Sequence, residues 1–157
     1  MFVHVLIGLA VGLAGAAATS AETISDPAKV DVCQRVPGAD VAAALGKILK
    51  KTRPMTTDSS ARCVYLLAPP GTPDPPVSGV VLWLYKAEDY DALARYTEGK
   101  IEPVPGLGDA AMRFRDPGDG LFKLRVVKRG QFAIEAVAAD PDSTRKLAEL
   151  ALARLSK

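Results

Sequence analysis

Three consecutive segments near the C-terminus alternate apolar and charged residues: Ala110-Ala111-Met112-Arg113-Phe114-Arg115, Leu121-Phe122-Lys123-Leu124-Arg125-Val126-Val127-Lys128 and Gln131-Phe132-Ala133-Ile134-Glu135-Ala136-Val137-Ala138. Asp116-Pro117-Gly118-Asp119-Gly120 separates the first two and Arg129-Gly130 the last two, both turn-forming by composition. Alternation with period two between short turns predicts a three-stranded antiparallel meander. On that pattern Met112, Phe114, Phe122, Leu124 and Val126 face one way, and Arg113, Arg115, Lys123 and Arg125 face the other. The third strand adds Phe132, Ile134 and Ala136 inward, and Gln131, Ala133 and Glu135 outward. The four cations form a candidate anion- or partner-binding face with one acid beside it; the alternative is a face that is solvated and nothing more.

Working outward, Asp140 is placed as an N-cap with Pro141 at the first helical position, opening a helix whose buried stripe is Leu147, Leu150, Ala151 and Leu155. Before the meander, Pro103-Val104-Pro105-Gly106-Leu107-Gly108 reads as a rigid return loop. Residues 87–96 read as a helix with Tyr90, Leu93, Ala94 and Thr97 on one side and Gly99 as its stop. Residues 79–85 are apolar on both faces, as in a strand covered on both sides, and Trp83 and Tyr85 share a face with Val81. With Tyr65 alongside they would make either core or an aromatic platform. Five prolines within 69–76 predict a stiff connection between that strand and the one at 62–67. Residues 47–51 predict an edge strand blunted by lysines. Residues 40–45 predict a short helix stopped by Gly46, and 22–32 an irregular arm.

The sum is a single α+β domain over 22–157: an antiparallel sheet of five to six strands with two to three helices packed on it. Helix-then-strands occurs twice, which hints at a duplicated unit, although the halves share no residue identity.

Residues 1–21 read as a secretory signal peptide. An apolar run from Phe2 ends in Ala16-Ala17-Ala18-Thr19-Ser20-Ala21, with cleavage after Ala18 or Ala21. The run lacks a Lys or Arg ahead of it, and its alternative is a retained N-terminal anchor. No cysteine follows it to carry a lipid. Export to a periplasmic or extracellular compartment places Cys33 and Cys63, the only two cysteines, where they pair as a disulfide rather than persist as free thiols. Without stable membrane insertion after cleavage, the mature chain is expected to meet an envelope component or another protein.

Chemistry is constrained by what is missing. The one histidine, His4, lies within 1–21, so the processed chain has none for a Ser-His or Cys-His nucleophile, and most zinc and haem ligation goes with it. Asp89 with Asp91, or Glu98 with Glu102, are the carboxylates nearest in sequence; residues two apart on a helix do not face each other. No catalytic residue, metal or cofactor is assigned. Gly106-Leu107-Gly108-Asp109-Ala110-Ala111 matches a dinucleotide fingerprint in spelling but leads into a strand rather than a helix, so the glycines are loop residues with positive φ. A net charge of +2 gives no electrostatic case for nucleic acid. The expectation is a non-enzymatic binding or accessory domain; the rival readings are a carboxylate-based hydrolase and a secreted interaction or inhibitor protein contacting through 69–76.

The segments Cys33-Gln34-Arg35-Val36-Pro37-Gly38-Ala39-Asp40-Val41-Ala42-Ala43-Ala44-Leu45-Gly46, Arg62-Cys63-Val64-Tyr65 and Pro105-Gly106-Leu107-Gly108-Asp109-Ala110-Ala111 together resemble small secreted or lipoprotein domains of unknown function from bacterial cell envelopes. The resemblance spans about 31–156. It implies a helix-and-antiparallel-sheet sandwich similar to PsbP-like domains, and no established activity.

Overall fold

A computed structural model describes residues 23–71 and 76–157. The signal-peptide reading and four residues of the proline-rich connection lie outside the described residues. Seven strands form one antiparallel sheet: β1 (Ile48–Thr56), β2 (Ala61–Ala68), β3 (Ser78–Tyr85), β4 (Glu102–Pro103), β5 (Ala110–Arg115), β6 (Phe122–Lys128) and β7 (Phe132–Ala138). Their order across the sheet is β1-β2-β3-β7-β6-β5-β4, so two meanders meet where β3 pairs with β7. Four helices accompany them: α1 (Val32–Arg35), α2 (Gly38–Leu45), α3 (Asp89–Arg95) and α4 (Pro141–Leu155).

The α+β class agrees with expectation, and both counts exceed it. The additional strand is β4, from the segment read as a loop: Pro103 pairs with Met112, and Val104 N–H donates to the Ala111 carbonyl at 3.0 Å. The additional helix is α1, started by Asp31, whose side chain accepts from Gln34 N–H at 3.1 Å inside the arm expected to be irregular. Gly99 does not stop α3, which ends four residues earlier at Arg95.

The main core lies between one sheet face and α1, α2 and α4. Cys63, Tyr65, Leu67, Leu82, Leu84, Ile134, Ala136, Leu124 and Val126 line the sheet side, and Val32, Val41, Leu147, Ala151 and Leu155 the helical side. Asp140 caps α4 as expected, accepting from Ser143 N–H at 2.8 Å. The stripe of α4 is wider than predicted, with Thr144 and Ala148 fully buried and Leu150 only partly so. At its other side the sheet carries a smaller cluster of Tyr90, Met112, Val127 and Ala133 under α3. The two helices α2 and α3 therefore sit on opposite faces, which removes the suggested duplication.

Cys33 of α1 is bonded to Cys63 of β2, with Cα atoms 5.2 Å apart. Beside it the fully buried Tyr65 donates its hydroxyl to the Val36 carbonyl at 2.8 Å. Burial pushes that phenol well above its ordinary range, so it remains a donor. These two links hold the α1–α2 segment on the sheet. The disulfide stabilises by about 3–4 kcal/mol in the chain-entropy picture and fits an oxidising, non-cytoplasmic compartment. No helix among the described residues is long and apolar enough to cross a membrane.

Candidate docking surface

The register of β5 on β6 separates the four predicted cations. Arg113 pairs with Leu124 and Arg115 with Phe122, whereas Met112 pairs with Arg125 and Phe114 with Lys123. Directly paired residues share a face. Arg113 and Arg115 thus lie on the α4 side of the sheet, and Lys123 and Arg125 on the α3 side. The expected common face of four charges is not assembled.

Each of the four is also engaged internally. Arg113 bonds Glu102 at 2.9 Å, which together with Lys100 holds the Glu102 carboxyl below the usual range. Arg115 donates to the Gly120 carbonyl at 2.9 Å and lies over the Phe122 ring. Lys123 bonds Asp116 and lies 3.6 Å from Asp119, and this lysine holds the Asp116 carboxyl down. Arg125 is the most committed. Its guanidinium bonds Glu135 and the Thr97 hydroxyl, donates to the Leu93 carbonyl at 2.6 Å and lies 4.8 Å from the Phe114 ring centre. Glu135, read as the acid outward beside the cations, does lie on that face but is only 5% exposed, covered by this contact. Arg125 and Glu135 fasten the C-terminal end of α3 to the sheet.

Because α3 sits over β5, β6 and β7 and reaches β3 only at Tyr85, no helix among the described residues covers the same face over β1, β2 and the rest of β3. The rows there follow from register: Lys51 beside Leu66, Arg53 beside Val64 and Val81, and Met55 beside Arg62 and Trp83. Lys51 and Arg53 are exposed and, among the described residues, have no ion-pair partner. Among the described residues Arg62 donates only to the thioether of Met55, at 3.0 and 3.3 Å, and its guanidinium lies 4.4 Å from the Trp83 ring centre. Trp83 in turn stacks on Tyr85 at 5.8 Å. Burial, then the nearby Glu135 charge, pushes the Tyr85 phenol up. Within β1–β3 these rows contain no acid; the Met55–Arg62–Trp83 row continues on β7 to Glu135, which Arg125 engages.

This corrects two aromatic expectations. Tyr65 pairs with Val80 on the opposite face and is not beside Trp83. Trp83 is half-buried, with the Arg62 guanidinium over its ring and, among the described residues, no helix on it. Sequence carried little signal for this surface: Lys51 and Arg53 stand two apart, but residues 62–66 have Arg62 as their only charge.

Elsewhere, an open cleft of about 410 Å³ is bordered by Lys86, Glu88, Asp91, Arg129 and Gln131. Its charges are spent on each other, Lys86 on Glu88 at 3.8 Å and Arg129 on Asp91 at 4.0 Å. The carboxylates singled out in sequence are dispersed: Asp91 at this cleft, Glu102 on β4. The glycines of 106–111 have positive φ, 75° at Gly106 and 61° at Gly108, in a loop that enters β5, as the sequence context required.

No family model, no curated protein and no solved structure matches this chain. The resemblance to envelope domains therefore rests on the motifs quoted above.

Proposed function

We propose that the mature chain is a non-enzymatic docking domain of the bacterial cell envelope, exported and oxidised, that holds a partner against the helix-free part of its sheet. The observation that carries this reading is the acid-free surface of β1–β3. There Lys51 and Arg53 are exposed and, among the described residues, have no ion-pair partner, near a tryptophan over which Arg62 lies. A solvated sheet face ordinarily mixes signs and balances its charges locally, as the four C-terminal cations do here. Such a domain works by presenting a rigid surface, and the disulfide and the Arg125 pin supply the rigidity.

The test is co-sedimentation of the purified chain with isolated cell envelopes. Arg53→Glu with Met55→Asp is expected to weaken binding at least tenfold. Lys146→Glu on the exposed side of α4 is expected to leave it unchanged. Equal binding by both variants would remove the β1–β3 surface from the proposal.

A further inference from the structure

Resting on that reading, we infer that the occupant of the β1–β3 surface is an anionic phospholipid bilayer, on which the domain lies flat. Charge alone would suit any polyanion, so the apolar side chains decide. Ile48 and Met55 are both 46% exposed, and Val77, immediately before β3, is 54% exposed. Ile48 lies on the same face as Lys51, because Leu49 next to it packs toward the core on the α2 side. Partly buried Val64, Leu66, Val81 and Trp83 fill the area between them. Tyr96, 86% exposed, follows α3 on the same side of the sheet.

A soluble polyanion or an acidic glycan would use the cations and leave this apolar area in water. An interface of lipid headgroups and acyl chains satisfies both: apolar side chains enter the boundary region while Lys and Arg meet anionic headgroups. A second copy of the chain is disfavoured, since it would set Lys50, Lys51 and Arg53 against themselves. Strand addition to the β1 edge is opposed by the same lysines and by Pro54, which offers no N–H. Each basic residue at such a surface is worth about fivefold in partitioning, diminishing with salt.

Trp83 is the only tryptophan in the chain, so its emission reports on this face alone. The experiment titrates the full chain with vesicles of phosphatidylglycerol and phosphatidylcholine in equal parts, with pure phosphatidylcholine vesicles, and with soluble polyglutamate. The expected result is a blue shift of Trp83 emission with the anionic vesicles only. It should be weakened at least tenfold in midpoint by Lys51→Glu with Arg53→Glu, reversed by high salt, and retained in the charge-matched control Lys146→Glu with Lys157→Glu. Three outcomes overturn the inference: no shift with anionic vesicles, an equal response from the two double variants, or a response to polyglutamate equal to that of the vesicles. If sedimentation with envelopes persists while the vesicle response is absent, docking stands and its lipid occupant falls. A response to polyglutamate equal to that of vesicles assigns the surface to a soluble acidic partner instead.

Discussion

Arg125 shows how little of a side chain's role can be read from its own neighbourhood in sequence. Its alternating context reads as solvated, yet it is the one group that satisfies Glu135, the Thr97 hydroxyl and the Leu93 carbonyl together. Arg125→Ala should therefore destabilise by about 3–5 kcal/mol, because it leaves Glu135 buried without a counter-charge. The double variant Arg125→Met with Glu135→Leu should recover most of that in urea unfolding. Asp140 is the opposite case, legible from Asp140-Pro141 alone because capping is local. The Ser143 N–H bond holds its carboxyl below the ordinary value, so its contribution is complete above about pH 4 and is lost as pH falls through the lowered folded value. Asp140→Asn keeps a cap and removes the charge. Its unfolding midpoint should fall less steeply than wild type between pH 4 and pH 2, and identical slopes would contradict this assignment.

At the scale of elements, six of the seven strands were legible by position, β4 being the exception, and their register was not. Period two marks a strand wherever it pairs, but the face it offers its neighbour depends on the parity of the intervening loop. Six residues separate Arg115 from its partner Phe122, so even-numbered residues of β5 meet odd-numbered residues of β6, and Met112 and Phe114 turn toward α3. Between β6 and β7 the parity is the other one, and there the inward set of Phe132, Ile134 and Ala136 was read correctly. The edge character of β1, the stop of α2 and the cap of α4 were also legible, since each depends on residues within one turn. Gly46 and Gly108 separate two uses of glycine. Both have positive φ, 63° and 61°, but a Cβ on Gly46 meets nothing within 4 Å, while one on Gly108 would lie 2.5 Å from Val126 Cγ1 and 2.7 Å from the Val127 carbonyl oxygen. Gly46→Ala should cost about 1 kcal/mol, the strain of a left-handed residue. Gly108→Ala should cost about 2–4 kcal/mol, because overpacking adds to it. Equal urea midpoints for the two variants would show that the 106–108 loop is free to move off the sheet.

For the molecule as a whole, export, oxidation and docking form one argument. The cysteine pair was readable because two cysteines allow one bridge, and the structure places it where it fastens α1 to β2. The docking surface was missed because sequence makes the most regular charge alternation the most conspicuous, and here that alternation is absorbed by acids and carbonyls brought in from α3, β4 and the β5–β6 turn. The surface that remains is the one that no helix of the described residues covers. Lysine acetylation of the purified chain with and without isolated envelopes tests this most directly, read residue by residue by mass spectrometry. The account predicts several-fold protection of Lys50 and Lys51 when envelopes are present, with Lys146 on α4 modified at the same rate. Protection of Lys146 with Lys50 and Lys51 unaffected would contradict it, as would no protection anywhere.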